Sequence, residues 1–321
     1  MNVPKQETML ARGTGIRFAT TVGSAAILMW ATLAPLTTMT AGIPPIELVA
    51  LTFGIAFLAG LCWLLMTGGA ARLRVFRQPL GYWLLAVGAL YCYHALYFLA
   101  LATAPPAQAS LIAYLWPLLI VVLSAFVAGE GLRTPHVVGA VLGLIGTAVL
   151  ILTRQPGAET ASNPALGLCA AFGCALIWSS YSVANRRFSA IPSDVMVAVC
   201  GVVALLGLLT HVAVERDSVW PSAQQWPAVI GLGFGPVGLA FLAWDYGTKH
   251  GNVPLLGTLS YAAPVISTVL LVLLGRAPAT LSLLLASALV VGGAWIATRR
   301  GRDDRPSAAA VADTALKGRE P

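Results

Sequence analysis

The stretch that decides the fold is AYLWPLLIVVLSAF at residues 113–126, because a second version of it, SYAAPVISTVLLVL, occupies residues 260–273. The two stretches are 147 residues apart, and a shift by this number superposes four pairs of residues: Tyr114 on Tyr261, Pro117 on Pro264, Tyr97 on Trp244 and Gly146 on Gly293. A shift of 148 residues also superposes Trp30 on Trp178. The sequence therefore predicts an internal repeat that covers most of the chain.

The composition around these stretches excludes a soluble protein. Of the 321 residues, 58% are hydrophobic and only 10% are charged, whereas soluble domains carry about 25% charged residues. So few charged side chains could not cover the surface of a soluble enzyme, a nucleic-acid-binding module or a disordered chain. We therefore predict a polytopic membrane protein whose surroundings are the lipid bilayer, with no nucleic-acid partner.

Ten apolar stretches are long enough to cross a bilayer, which requires about 20 residues in a helix. We read the first as a retained helix, because it is too long for the apolar region of a cleaved signal. The predicted spans are 16–38, 46–67, 80–102, 107–128, 135–153, 164–185, 194–213, 227–248, 254–274 and 279–299. The predicted organisation is a cytoplasmic segment at 1–15, a first repeat at 16–153, a second at 164–299 and a disordered cytoplasmic tail at 300–321.

The basic residues predict the orientation of these spans. With both termini in the cytoplasm, 16 of the 19 Lys and Arg residues lie on the cytoplasmic side, as the positive-inside rule requires. The exceptions are Arg154, Arg216 and Arg276. The net charge of +7 therefore reports topology and indicates no nucleic-acid binding.

Five helices in each repeat mean that the second repeat enters the membrane from the opposite face. The predicted fold is an all-α integral membrane protein in which ten transmembrane helices form two inverted five-helix repeats. This architecture is common in secondary transporters, which bind substrate near the membrane midplane between the repeats.

Several longer segments resemble the EamA family of the drug/metabolite transporter superfamily. The first-repeat segment is YHALYFLALATAPPAQASLIAYLWPLLIVVLSAF, and the second-repeat segments are CALIWSSYSVANRRFS and LAWDYGTKHGNVPLLGTLSYAAPVISTVLLVLLGRAP. The resemblance runs from about residue 16 to residue 299. Many members with this first-repeat segment carry an acidic residue where this chain has Gln108, so the resemblance does not imply proton coupling through that position.

The resemblance implies an inner-membrane exporter of aromatic or other hydrophobic amino acids and related small metabolites, working by alternating access without a cofactor. We expect a monomer, with a dimer as the second option. One alternative is a permease for another small metabolite or an organic-cation drug, and another is a membrane scaffold or sensor that transports nothing. No nucleophile, carboxylate or metal-ligand pattern indicates an enzyme or a metal site, and the five cysteines all fall in apolar stretches.

The candidate substrate-binding residues are polar or aromatic side chains far from span ends. His94 is the most informative, because an ionisable group at that depth usually faces the bundle interior or a cavity. Its alternative role is a neutral imidazole bonded to a neighbouring helix. Packing between helices is likewise the alternative for the aromatic candidates. The full set is His94, Tyr97, Tyr114, Trp178, Tyr181, Trp244, Asn252, Ser260 and Tyr261, with Pro117 and Pro264 predicted to interrupt their helices.

Three charged residues have structural readings that compete with a functional one. Asp245 and Lys249 share a helix face at i,i+4 spacing, and a local ion pair at the cytoplasmic membrane interface is the favoured interpretation. Glu47 is read as a carboxylate at a helix N-terminus. We assign the small residues Gly139, Gly143, Gly146, Gly292 and Gly293 to close helix packing.

Overall fold

A computed structural model describes residues 3–126, 133–153, 162–215 and 217–298. The environment of the side chains is described from residue 14 onward. Within these ranges there is no β-strand, and ten helical stretches are long and apolar enough to cross a membrane. The all-α fold with ten transmembrane spans is thus confirmed. The predicted disordered tail lies outside the described residues.

The ten spans contain fourteen α-helices, because several spans are interrupted. The first five spans contain α1 (Val3–Ala31) with α2 (Leu33–Thr37), then α3 (Pro45–Gly68), α4 (Leu80–Thr103), α5 (Pro106–Ala113) with α6 (Trp116–Ser124), and α7 (Thr134–Leu152). The last five contain α8 (Pro164–Ala184), α9 (Met196–Val214), α10 (Trp226–Leu232) with α11 (Ala240–His250), α12 (Val253–Leu259) with α13 (Ala262–Leu273), and α14 (Leu281–Thr298).

Proline marks where many of these helices begin. A proline occupies one of the first two positions of α3, α5, α6, α7, α8, α10 and α12, where its missing N–H costs nothing and its fixed φ favours the helix. Three helices also have a cap from the side chain that precedes them: the Oδ1 atoms of Asn163 and Asn252 accept from the backbone N–H of Leu166 and Leu255, and Thr280 Oγ1 accepts from that of Leu283. These local signals fix the starts of the spans on both sides of the membrane.

Helix pairing follows a pseudo-twofold axis between the two halves. Span 2 packs on span 7 (α3 on α9) and span 5 on span 10 (α7 on α14), so each of these spans meets its own repeat equivalent. Span 3 packs on span 6 (α4 on α8), and this contact is mirrored by span 8 on span 1 (α11 on α1). The packing is what an inverted repeat of five helices produces.

Close backbone contact between α7 and α14 depends on small residues. A Cβ atom built on Gly139 would lie 2.5 Å from the carbonyl oxygen of Gly293. At the symmetry-related position, a Cβ on Gly146 would lie 3.0 Å from the carbonyl oxygen of Ala286. The packing role predicted for these glycines is confirmed, but it is wrong for Gly292, which has nothing within 4 Å of its Cβ position.

Spans 4 and 9 are interrupted at equivalent places, and span 8 is interrupted by a different kind of helix. Turns at residues 114–115 and 260–261 separate α5 from α6 and α12 from α13, just before Pro117 and Pro264. In span 8, a π-helical segment at Gly233–Leu239 joins α10 to α11. Pro236 lies inside this segment, which is consistent with the rule that sharp departures from α-geometry occur at Pro or at π-bulges.

Candidate functional site

Four tryptophans from both halves meet well inside the spans. Trp30 of α1, Trp116 of α6, Trp178 of α8 and Trp244 of α11 each contact the other three, with ring centroids 5.1–6.4 Å apart. Most of the pairs meet edge to face, a geometry that the charge distribution of aromatic rings favours. We call this group the tryptophan cluster.

Further rings surround the tryptophan cluster. Phe241 lies 5.7 Å from Trp178 and stacks on Phe53 of α3, also at 5.7 Å. Tyr93 of α4 lies 5.6 Å from Trp178 on another side. Spans 1, 2, 3, 4, 6 and 8 therefore all contribute rings to one aromatic centre between the halves.

The indole N–H groups of the tryptophan cluster are used unequally. Trp30 donates to the carbonyl oxygen of Pro236 at 3.0 Å, so the π-helical segment of span 8 holds this ring in place. Trp244 donates to Ser182 Oγ at 3.1 Å. In the part of the chain that the structure describes, the N–H groups of Trp116 and Trp178 have no protein acceptor. These two donors are available to a ligand.

His94 adds a third polar atom at the edge of the aromatic centre. Its ring lies 5.2 Å from Phe53 and 5.5 Å from Tyr93. Nδ1 lies 2.7 Å from the carbonyl oxygen of Leu90 in its own helix, rather than bonding a neighbouring helix. Among the described residues Nε2 has no protein partner. With Nδ1 protonated toward Leu90, Nε2 is an acceptor for an incoming donor.

The structure brings four of the nine candidate side chains to this centre, namely His94, Trp178, Tyr181 and Trp244. Trp178 and Trp244 belong to the tryptophan cluster, and the Tyr181 ring lies 5.3 Å from Trp178. Tyr97 lies one layer further out, stacked on Tyr93 at 6.0 Å. Tyr114 occupies the turn between α5 and α6.

Three candidates lie elsewhere. Asn252 caps α12 and its N–H donates to Thr20 Oγ1 at 2.9 Å. Ser260 is fully buried and donates to the carbonyl oxygen of Leu256 one turn earlier. Tyr261 is buried in a separate cluster with α7 and α14, where its ring packs on Gly143. Each of these three residues therefore has a partner in the scaffold.

Sequence reasoning missed Trp116, Phe53, Phe241 and the π-helical segment. Trp116 lies between Tyr114 and Pro117 in the repeated stretch, and this position was a signal that could have identified it. The glycine- and proline-rich GFGPVGL of span 8 was a signal for irregular helix geometry. Nothing in the sequence distinguished Phe53 and Phe241 from ordinary apolar residues.

A buried ion pair adjoins the tryptophan cluster. Lys249 Nζ lies 2.7 Å from Asp245 Oδ2, which confirms the i,i+4 pair, but both side chains are 0% exposed. Other spans enclose the pair, so it is buried in protein although it lies in the last turns of α11. Asp245 Oδ1 accepts from Asn185 Nδ2 at 2.9 Å and from the hydroxyls of Tyr82 and Tyr181 at 3.2 and 3.4 Å.

A second polar group lies where α9 ends beside the start of α3. The Glu215 carboxylate accepts from the backbone N–H of Ile46 and Glu47 at 2.9 and 3.0 Å, so it occupies the positive end of α3. Glu47 itself accepts from the N–H of Val219 at 2.8 Å. His211 Nδ1 lies 2.6 Å from Glu215 Oε2. Glu47 lies in the first turn of α3, as predicted. The N–H groups of that turn bond to Glu215, and the Glu47 carboxylate bonds to the chain after α9.

An inverted repeat, interrupted spans and an aromatic centre shared by both halves define the chain as a transporter of the secondary type. A family model described as the EamA-like transporter family matches residues 18–152 and 165–299, two segments whose starts differ by the 147 residues of the repeat. The chain therefore belongs to the EamA-like transporter family, and it is a multi-pass integral membrane protein.

Individual relatives agree with this assignment. The chain is 51% identical over 287 residues to the aromatic amino acid exporter YddG of Ancylobacter novellus, covering 88% of this chain and 98% of the relative. It is 27% identical to the aromatic amino acid exporter YddG of Escherichia coli, with the same coverage. A solved crystal structure that is 50% identical superposes with a TM-score of 0.83 and covers 88% of this chain and 96% of that one.

Proposed function

We propose that this protein exports aromatic amino acids across the bacterial inner membrane by alternating access. The observation that carries the proposal is the tryptophan cluster, which combines apolar ring faces with two indole N–H groups that have no acceptor among the described residues. A planar aromatic side chain can replace one ring contact with another, because ring pairs are favourable at edge-to-face and offset geometries alike. The names of the YddG relatives support the same substrate class.

The origin of the four rings supports the mechanism. Trp30 and Trp116 come from the first repeat, and Trp178 and Trp244 come from the second. When the repeats rock against each other, the contacts between the two pairs must change. A substrate bound there contacts both halves, so its binding can be coupled to their movement.

The charges near the centre favour this substrate class over an organic cation. A cation exporter needs an acidic side chain free to meet its ligand, but Asp245 already has Lys249 at 2.7 Å. A ligand with a hydrogen-bond acceptor can instead bond to the indole N–H of Trp116, of Trp178 or of both. His94 Nε2, an acceptor in the neutral ring, offers a further polar contact at the edge of the aromatic centre.

We also propose the orientation that the basic residues predict, with both termini in the cytoplasm. Arg72, Arg74 and Arg77 then lie on the cytoplasmic side after span 2, and Arg186 lies there after span 6. In this orientation the Asp245–Lys249 pair is near the cytoplasmic end of span 8. The group formed by Glu47, His211 and Glu215 lies near the opposite face.

Flux of labelled phenylalanine, tryptophan and threonine into proteoliposomes tests the proposal. We expect flux of phenylalanine and tryptophan well above that of threonine. Trp178→Ala and Trp116→Ala should each lower tryptophan flux by about tenfold or more, because each removes a ring and an N–H donor from the site. Trp220→Ala is the matched control, since Trp220 is 72% exposed at the end of the molecule.

Two outcomes would contradict the proposal. The first is no aromatic amino-acid flux by folded wild-type protein. The second is flux that survives both tryptophan replacements, which would move the substrate away from the tryptophan cluster. Repeating the measurement with and without a pH gradient decides whether protons accompany the substrate.

A further inference from the structure

We propose that Asp245 and Lys249 form a headgroup site for a zwitterionic amino acid. The substrate ammonium takes the place of Lys249 at Asp245, and the substrate carboxylate takes the place of Asp245 at Lys249. This inference rests on the proposed function, since it assigns the charged half of a substrate whose ring lies among the tryptophans.

The pair is within reach of a substrate in the tryptophan cluster. Trp244 directly precedes Asp245 on α11 and belongs to the cluster. Tyr181 bridges the two sites, because its ring lies 5.3 Å from Trp178 while its hydroxyl donates to Asp245 Oδ1 at 3.4 Å. An aromatic amino acid has the same composition, with a ring joined through Cβ and Cα to two opposite charges.

The fold does not require this ion pair. The repeat positions equivalent to Asp245 and Lys249 are Phe98 and Ala102, so the same helix is built in the first half without charges. Buried ion pairs seldom stabilise a protein relative to apolar residues, and ionisable residues inside a membrane usually mark substrate pathways. A function in recognition explains why one half carries the pair.

Each member of the pair keeps neutral partners when the two separate. Asp245 Oδ1 holds its three donors on Asn185, Tyr82 and Tyr181, none of which involves the oxygen that meets Lys249. Lys249 Nζ donates to the carbonyl oxygen of Ile191 at 3.0 Å and lies 4.8 Å from the centre of the Tyr82 ring. Both charges therefore remain partly compensated while the substrate exchanges into the gap.

An unused acceptor next to the pair points to a ligand with donors. Asn185 is fully buried, and its Nδ2 donates to Asp245 Oδ1 and to Thr248 Oγ1. Its Oδ1 is buried without a hydrogen-bond partner, and such orphaned atoms are rare in folded proteins. Turning the amide would place its oxygen against the carboxylate, so the contacts fix its orientation. An ammonium at Asp245 has a further N–H to donate to Asn185 Oδ1.

The exchange predicts selection for substrates with both charges. An aromatic amine at Asp245 would displace Lys249 and leave its ammonium buried without a counter-charge, and an aromatic acid would do the same to Asp245. Both situations carry the cost of an unpaired buried charge. A purely aromatic pocket would show the opposite preference, because the singly charged analogues are less polar than the amino acid.

Competition for labelled tryptophan flux in proteoliposomes tests this selection in the wild-type protein. The competitors are unlabelled tryptophan, tryptamine, which lacks the carboxylate, and indole-3-propionate, which lacks the ammonium. We expect tryptophan to compete at least about tenfold better than either analogue. Protein-free liposomes control for leakage. Equal or better competition by the analogues overturns the headgroup site.

Variants test whether the preference for tryptophan over its singly charged analogues depends on Asp245 and Lys249. Asp245→Asn combined with Lys249→Met removes both charges without leaving one unpaired, and the preference for tryptophan should fall to within about threefold. Arg72→Gln combined with Asp194→Asn is the matched control, because that ion pair is partly exposed, and it should keep the preference. A neutral variant that still prefers tryptophan tenfold overturns the proposal.

A conservative pair covers the case in which the neutral variant gives no folded protein. Asp245→Glu combined with Lys249→Arg keeps both charges but moves them, and the KM for tryptophan should rise while inhibition by tryptamine stays the same. An unchanged KM overturns the proposal. Failure of the proposed function is distinguishable, since the wild type would then carry no aromatic amino acid, whereas failure of the headgroup site alone leaves flux without selection for zwitterions.

Discussion

Spans 3 and 8 occupy equivalent places in the two repeats but differ in structure. Span 3 is one continuous helix, Leu80–Thr103, whereas span 8 is divided by the π-helical segment at Gly233–Leu239. Span 8 also carries the buried Asp245–Lys249 pair, where span 3 has apolar side chains. The repeat therefore preserves the scaffold, while the chemistry of the site is asymmetric.

The asymmetry can be traced to single positions. Pro236 corresponds to Ala89 of the first repeat, and only the proline removes an N–H from the helix. The carbonyl oxygen of Pro236 accepts from Trp30 at 3.0 Å, so irregular backbone in span 8 orients a ring from span 1. π-bulges often occur at functional sites, and this one directly contacts the tryptophan cluster.

The largest expected effect is the difference in flux and stability between alanine variants of Trp244 and of its repeat equivalent Tyr97. Trp244 is fully buried against three other tryptophans, so Trp244→Ala should abolish tryptophan flux and lower the free energy of unfolding by about 3–5 kcal/mol. Tyr97 is half-buried beside Tyr93, and Tyr97→Ala should cost roughly 1–2 kcal/mol. Flux and thermal unfolding of purified protein measure both.

The phenylalanine variants Trp244→Phe and Tyr97→Phe are the controls. Each keeps a ring while removing a polar atom, so both proteins should fold. Equal losses for the two alanine variants would mean that the halves contribute alike, against the asymmetry described above.

The next effect probes the part of the molecule where symmetry is kept. Gly139→Ala should lower the unfolding free energy by about 1–3 kcal/mol, because the new methyl would lie 2.5 Å from the carbonyl oxygen of Gly293. Gly146→Ala should cost less, since its contact with Ala286 is 3.0 Å. Gly292→Ala is the matched control with open space around it. Loss of stability in the control alone would contradict the packing described for α7 and α14.

The scaffold was largely predictable from the sequence, and the site only in part. The ten spans follow from the length of the apolar stretches. The 147-residue repeat follows from matching residues such as Pro117 and Pro264, which can be read directly from the sequence. The contacts in the site join residues that are far apart in the chain. No spacing in the sequence therefore predicted that Trp116 contacts Trp30 or that Tyr261 packs on Gly143. An aromatic residue in a membrane span reads alike whether it faces a substrate or a neighbouring helix.

A smaller effect compares the acidic residues Glu47 and Asp194, which are also repeat equivalents. Glu47 is buried and accepts from the N–H of Val219, so Glu47→Gln should cost about 1.5–3 kcal/mol. Asp194 pairs with Arg72 at 2.8 Å, with side chains 28% and 37% exposed, and Asp194→Asn should cost less than about 1 kcal/mol.

Denaturation in low salt and in roughly 1 M salt distinguishes the two residues, because salt screens exposed charges far more than buried ones. The difference between Asp194→Asn and the wild type should shrink in high salt while that of Glu47→Gln persists. Equal salt sensitivity would show that both ends of spans 2 and 7 are equally hydrated.

The smallest effect concerns Asn252, a candidate for substrate binding that the structure places as the cap of α12. Asn252→Ala removes the acceptor for the Leu255 N–H and should cost about 1 kcal/mol. It would leave span 9 starting without a side-chain cap, as span 4 does at Pro105. Asn252→Asp keeps the cap and replaces the amide donor with a carboxylate whose charge a helix N-terminus favours, so stability and tryptophan KM should both stay near wild type. A stable Asn252→Asp protein with a raised KM would instead return the amide to the substrate path.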